Sequence, residues 1–250
     1  MDTPTCPICD SSSDEYSQYK TSAHRDLEDI NYQVWKCQEC FLLFVNPLPD
    51  LSLIEGQYDM EEVVEHIRRG SYLGRKIRYG WRALKLRSSG MSGSLIEIGC
   101  GQGDFLIGAK FAGFSPIIGV EPEKATARFA ANRGFTVHDN LFNPANFEKE
   151  QFDNAVSIQV LEHVPDPIEF VKDISIVIKR GGRLLLETPC TSHPRALKAG
   201  KEWRYISPPW HLHLFNEKNL GILFERAGFK LEKTWQHTHK AYISAIGVKL

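Results

Sequence analysis

The stretch that most constrains this chain runs Leu95-Ile-Glu97-Ile-Gly99-Cys100-Gly101-Gln-Gly103-Asp-Phe-Leu106. A short apolar run gives way to glycines at every second position. An apolar stretch with helical spacing follows, from Phe105 to Ala112. Such a pattern reads as a buried parallel strand, a tight turn and a helix start. Glycines there accept positive φ and let a ligand lie against the main chain. The helix N-terminus beyond offers free N–H groups and the positive end of a dipole. A glycine-rich turn alone is weak, since any strand-to-helix connection can use one, and the next strands supply the missing constraint.

Ile117 to Val120 ends at once in Glu121-Pro122, at close to the distance from the turn where nucleotide-binding α/β folds place an acid for ribose hydroxyls. A carboxylate suits that task because it accepts two hydrogen bonds from a vicinal diol. Thr136-Val137-His138 runs into Asp139-Asn140, and Asp153 to Ile158 runs into Gln159-Val-Leu-Glu162-His163-Val164. Every expected strand thus ends in polar residues on one side, where an open parallel sheet binds its ligand.

These segments resemble the class I S-adenosylmethionine-dependent methyltransferases, in the branch related to ubiquinone and sugar methyltransferases. Glu97-Ile-Gly99-Cys-Gly101-Gln-Gly103 resembles the first motif, and its Gly-x-Gly-x-Gly spacing differs from the Gly-x-Gly-x-x-Gly of dinucleotide folds. Leu161-Glu162-His163-Val164-Pro165-Asp166-Pro167 is similar to the segment after the fourth strand, and Gly181-Gly182-Arg183 to Pro189 to the fifth-strand signature. The resemblance implies S-adenosylmethionine as cofactor, held by Glu97, Gly99, Cys100, Gly101, Gly103, Glu121, Pro122, Asp139, Asn140, Gln159 and Glu162. Glu121 would take the ribose, Asp139 would lie near the adenine amino group, and Glu162 would hold the methionine amino group or orient His163. Cys100 and Cys190 also read as plain apolar packing. The implied fold is α/β, with a Rossmann-like, mostly parallel seven-stranded sheet, helices on both faces and a C-terminal antiparallel hairpin.

Ahead of that domain, Cys6-x2-Cys9 and Cys37-x2-Cys40 form two thiolate knuckles, each able to fill two corners of a tetrahedral zinc site. The alternative is four reduced thiols without metal. A piece this short buries little core, and a structural zinc supplies about 10–16 kcal/mol of apparent folding energy. With all four ligands from protein, the ion would be structural rather than catalytic. Strands are expected around residues 16–19 and 32–36. The expected domains are a zinc-ribbon-like module over 1–50 and a methyltransferase domain over 51–250, with N-terminal helices to 90 and the core from 91. The module also resembles the zinc-binding piece fused to some bacterial small-molecule methyltransferases, where it caps the substrate side.

Between these parts, residues 55–65 are acidic, and Arg68 to Arg87 carries eight basic residues and no acid. Leu73, Ile77, Trp81 and Leu84 fall on one helical face, with Arg75, Arg78, Arg82 and Lys85 on another. The plain expectation is an amphipathic helix with its apolar face packed and its basic face solvated. A phosphate contact, to RNA or to a nucleotide-linked substrate, is the sharper one. Tyr58 and Tyr72 are candidates for the cofactor mouth, and aromatic packing explains them equally well. Gly134, Gly181 and Gly228 are expected at helix C-caps.

Methyl transfer from a sulfonium needs alignment first, and a base only when the acceptor is a poor nucleophile. Three histidines compete for that role, in the order His211, His163, His213. His211 and His213 lie in Pro208-Pro-Trp-His211-Leu-His213-Leu-Phe215, where alternation puts both on one side if the stretch is extended. Each also reads as a loop-holding residue. The expected acceptor is a small molecule, a sugar, a nucleotide-linked sugar or a related metabolite, methylated on oxygen or carbon. Ribosomal RNA is the alternative acceptor. A formal charge of −1 gives no global pull toward nucleic acid or membrane. A non-catalytic zinc-containing interaction protein is the third reading, disfavoured by the intact glycines and acids. No stretch reaches the roughly 20 apolar residues of a membrane helix, the N-terminus lacks the features of a signal peptide, and a cytoplasmic location is expected. The sequence leaves the oligomeric state open.

Overall fold

A computed structural model of the chain describes residues 3–20, 31–49 and 72–250. Tyr58, the acidic run and the side chains of Tyr72, Leu73 and Arg75 lie outside the described residues.

In chain order the strands and helices are β1 (Ser13–Lys20), β2 (Asn31–Cys37), β3 (Leu43–Val45), α1 (Tyr72–Ser88), β4 (Leu95–Ile98), α2 (Asp104–Phe111), β5 (Ile117–Val120), α3 (Lys124–Ala131) and β6 (Thr136–His138). There follow β7 (Phe152–Ile158), α4 (Pro167–Val177), β8 (Ile178–Pro189), α5 (Pro194–Ala199), β9 (His213–Leu214), α6 (Glu217–Arg226), β10 (Phe229–Gln236) and β11 (Tyr242–Lys249). The large sheet has the order β10-β11-β8-β7-β4-β5-β6. It is mostly parallel with an antiparallel C-terminal hairpin, as expected from alternating strands and helices. β4 pairs in parallel with β5 and β7, and β5 with β6.

The chain divides into two compact units, one of Met1–Glu55, Gln159–Lys172 and Leu186–Ile246, the other of Gly56–Ile158, Asp173–Leu185 and Gly247–Leu250. In the second, all four residues of β4 are buried, which suits a strand flanked on both sides by parallel neighbours. α1 packs on α2, but not through the expected face. Gly80, Ala83 and Leu86 are buried, while Ile77, Trp81 and Leu84 are exposed, Trp81 at 66%. The reason is a close backbone crossing. A Cβ built on Gly108 would stand 2.5 Å from the Tyr79 carbonyl, so the small residues of both helices decide which side goes in. Gly134 and Gly228 follow helices at positive φ, whereas Gly181 lies inside β8 at φ +73°, because α4 already stops at Val177.

In the first unit, β1, β2 and β3 form an antiparallel sheet whose fourth strand is β9, with Leu43 opposite Leu214 and Phe44 opposite His213. The N-terminal sheet therefore takes a strand from far along the chain. α6 anchors the cysteine loops: Asn216 and Asn219 donate side-chain amides to the Cys40 carbonyl, and Arg226 donates to the Ile8 carbonyl. No helix of the described residues is long and apolar enough to cross a membrane.

Candidate functional site

In the second unit the chain leaves β4 through Gly99, Gly101 and Gly103, at φ +72°, +51° and +77°. Gly103 is also the N-cap of α2 and has no side chain to occupy the free helix amides. A Cβ added at Gly101 would meet nothing within 4 Å, so open space lies directly against the main chain. Arg133 holds the turn, donating to the Gln102 carbonyl at 2.7 Å and to Asp104 at 2.8 Å. Sequence reasoning missed this arginine, which carries no motif of its own.

Two acids face this turn. Glu121 Oε2 accepts the Gly101 N–H at 2.9 Å, and its Oε1 accepts the Glu123 N–H at 3.0 Å. Glu97 is 3% exposed, and its Oε2 has no hydrogen-bond partner among the described residues. Burial pushes the Glu97 carboxyl well above the ordinary value of 4.5, with Arg82 opposing and Glu121 and Asp104 reinforcing. Burial also raises Glu121, against the two amides that stabilise its charge. Cys100 is buried, and Gly119 is small enough to leave room for its sulfur. Pro122, Asp139 and Asn140 are exposed, and Asn140 borders an open hollow with Leu141, Phe142, Asn143 and Asp173.

In the first unit Gln159 sits at φ +58°, unusual for a residue with a side chain. Its N–H donates to the Glu187 carbonyl at 2.8 Å, and its side-chain nitrogen is buried without a partner among the described residues. Glu162 is 1% exposed and accepts the Thr188 hydroxyl at 2.9 Å. Burial raises its carboxyl to about 8.

Of the three histidines, His163 and His211 come together, with ring centroids 5.0 Å apart. His163 Nδ1–H donates to the Trp210 carbonyl, and His211 Nδ1–H to the Tyr205 carbonyl, each at 2.6 Å. Burial, and next the neighbouring His163, lowers His211 to about 4; burial lowers His163 as well. His213 lies apart from this pair. It is 2% exposed, starts β9 and donates Nδ1–H to the Val164 carbonyl at 3.1 Å. Strand β9 covers His213 and Leu214, so the condition under which His211 and His213 would share a side of one strand does not extend to His211. Tyr205, which stacks on His211 and bonds Tyr242, was not singled out from the sequence. Neither was Glu187, buried beside Ser244 and His237.

The four knuckle cysteines also meet. Their sulfurs lie within 4.8 Å of one another, with Cys6–Cys40 at 3.6 Å and Cys9–Cys37 at 3.4 Å, too long for disulfides. Backbone N–H groups of Ile8 and Cys40 point at the Cys6 and Cys37 sulfurs. The Cys40 thiol beside it lowers Cys6 to about 5. Four thiols at this spacing suit a tetrahedral thiophilic ion.

Residues 71–234 match the family model described as a methyltransferase domain. A tRNA U34 carboxymethyltransferase of Alteromonas mediterranea is 27% identical over 150 residues, covering 55% of this chain and 45% of that protein. The chain thus matches less than half of that relative's length. A probable S-adenosylmethionine-dependent methyltransferase of Mycolicibacterium smegmatis is 26% identical over 209 residues, 82% of this chain and 76% of the relative. Among solved structures, a possible histamine N-methyltransferase from Thermotoga maritima superimposes with a TM-score of 0.56 at 22% identity, over 76% of this chain and 98% of that one. This last likeness concerns the fold.

Proposed function

The chain belongs to the methyltransferase-domain family, and on that premise we propose that it transfers the methyl group of S-adenosylmethionine to oxygen or carbon of a small-molecule acceptor. The observation that carries this reading is the pairing of Glu121 with an open glycine turn. Each Glu121 oxygen already accepts one backbone N–H, and a carboxylate has about four lone-pair sites. Two therefore stay free for the ribose hydroxyls. The Glu97 oxygen, without a hydrogen-bond partner among the described residues, and the open space at Gly101 fit the rest of such a ligand. Gly99, Cys100 and Gly103 would shape the turn around it, Pro122, Asp139 and Asn140 would border the adenosine, and Gln159 and Glu162 would serve its methionine end. The bound cofactor supplies a methyl group already activated on a sulfonium, and the chain's task is then to align donor and acceptor.

Where the acceptor is a hydroxyl or carbon acid, His211 is the leading base, then His163, then His213. Burial lowers both imidazoles below the ordinary 6.5 and so favours their neutral form, and with Nδ1 donating to a carbonyl each offers Nε2 as a proton acceptor. Such a base contributes about 10²–10⁴-fold. Residues 1–50 serve as a structural zinc module and 51–250 as the methyltransferase domain. Six cysteines without a disulfide suit the reducing cytoplasm.

RNA stays the second reading, because a relative named for tRNA matches and because Arg78, Lys85 and Arg87 lie exposed on α1. The test supplies methyl-labelled S-adenosylmethionine with a cell extract, then separates small molecules, RNA and protein. Label among small molecules supports the first reading, label in RNA the second. Failure to bind the cofactor by calorimetry removes both.

A further inference from the structure

We propose that Glu162, His163 and His211 form a second metal site, a three-ligand seat for a divalent transition ion with positions left open for the acceptor. One ligand atom from each lies within 4.8 Å of the other two, and His163 Nε2 stands 4.0 Å from Glu162 Oε1. Metal–nitrogen and metal–oxygen bonds of about 2.0–2.2 Å put neighbouring ligands roughly 3–3.5 Å apart. Binding therefore draws the three together by about an ångström, within reach of small side-chain rotations.

What separates this cluster from a chance meeting is how each group is held from behind. The Trp210 carbonyl takes the Nδ1 proton of His163, and the Tyr205 carbonyl takes that of His211. A carbonyl can only accept, so each Nδ1 carries its proton, with Ser207 Oγ also 3.0 Å from that of His211, and neither Nε2 has a hydrogen-bond partner among the described residues. Glu162 is anchored in the same way, with Thr188 on Oε2 and Oε1 turned to His163. The Leu212 N–H donates to the Glu162 carbonyl at 2.7 Å and ties the two ligand-bearing segments together. Metal-ligating histidines almost always give their far N–H to a carbonyl or carboxylate, and ligating carboxylates are themselves hydrogen-bonded.

Charge points the same way. Glu162 is 1% exposed, and among the described residues no lysine or arginine pairs with it. A carboxyl buried this fully is costly to ionise without a cation beside it, and a divalent ion would remove that cost. Two imidazoles with one carboxylate favour first-row transition ions over magnesium or calcium. The donors also differ from the four thiols of the knuckles, so the two sites would not compete for the same chemistry.

Three protein ligands leave open positions, and these suit an acceptor with two adjacent oxygens, such as a vicinal diol or a hydroxyl beside a carbonyl. This role for the open positions rests on the methyl-transfer reading; the metal site itself does not. An ion held there would acidify a hydroxyl beside it, so that the proton would pass to water, the oxygen lone pair would form the new C–O bond and the S–C bonding pair would return to sulfur. With the ion bound, Glu162 would hold it rather than the methionine end of the cofactor, and the imidazoles would act through it; without the ion, His211 and His163 keep the base role given above.

The test uses the full chain with its knuckles already loaded with zinc. Mn²⁺ is titrated in and free ion followed by electron paramagnetic resonance. One saturable Mn²⁺ per chain is expected, with affinity at least about tenfold weaker in Glu162→Gln and His211→Ala. Co²⁺ added to the unmodified protein should give visible bands without the thiolate charge-transfer absorption of a cysteine site, a readout that needs no variant to fold. Absence of saturable binding in the unmodified protein, or unchanged binding in both variants, overturns the site. Calorimetry with S-adenosylmethionine on the same sample separates the two proposals: cofactor without Mn²⁺ sinks the metal site alone, and Mn²⁺ without cofactor sinks the methyl-transfer reading alone.

Discussion

The Glu121 carboxylate accepts the Gly101 amide at 2.9 Å and so ties the end of β5 to the turn that leaves β4. Two strands that are parallel neighbours thereby present a carboxylate and an open main chain together. Replacing Glu121 by Ala removes both free acceptor positions and leaves β4 and β5 paired. S-adenosylmethionine binding should weaken at least about tenfold, since hydrogen bonds to charged groups each contribute about 1.5–3 kcal/mol. Calorimetry reads the affinity and circular dichroism the fold. Equal affinity in the two proteins would remove the ribose assignment.

Gly108 is a second point where one atom matters. Its missing Cβ is what lets α1 lie against α2, with the Tyr79 carbonyl 2.5 Å and the Gly80 nitrogen 2.9 Å from the place a methyl would take. Both obstacles are backbone, so the helices must part. Gly108→Ala should cost about 1–3 kcal/mol, read as a lower urea midpoint. Trp81→Ala, on the exposed side of α1, should change stability by no more than about 0.5 kcal/mol. A Trp81 effect larger than that of Gly108 would mean the helix is packed the other way round.

The contrast shows what the sequence makes legible. Strand-and-turn punctuation from Leu95 to Glu121 was readable because parallel strands are short apolar runs and their ends carry the polar residues. The inward face of α1 was not, because large side chains dominate a periodicity count while a glycine-mediated crossing leaves no apolar signal. Likewise the alternation of His211 and His213 shares a side only in an extended stretch, and strand pairing with β3 takes in His213 and Leu214 alone, across some 170 residues of sequence. Long-range partners such as Phe44 for His213 are set by tertiary packing, which local patterns do not encode. The meeting of His163 with His211 depends on the same fold-back.

Cys37 tests the knuckles. It sits 3.4 Å from Cys9 in sulfur–sulfur distance and accepts the Cys40 N–H. If the four thiols hold zinc, elemental analysis should find about one zinc per chain in the knuckles. Cys37→Ser should lose it together with the order of the flanking loops, followed by amide exchange. Because α6 grips the Cys40 carbonyl and β9 completes the small sheet, the loss should also loosen α6. Full zinc retention in the variant would rule out Cys37 as a ligand.

Glu97 gives the pH dependence a sign. Burial holds its carboxyl well above the ordinary 4.5 in the folded chain, so between those two values the folded state binds a proton that the unfolded state has lost. Stability therefore falls as pH rises from about 4.5 toward the folded value, the reverse of the usual carboxylate. Glu97→Gln keeps the shape and removes the titration. Without cofactor, its melting temperature should match the natural protein's near pH 4 and exceed it increasingly at pH 6 and 8. Parallel curves for the two proteins would show that burial does not raise the Glu97 carboxyl, Arg82 having offset it.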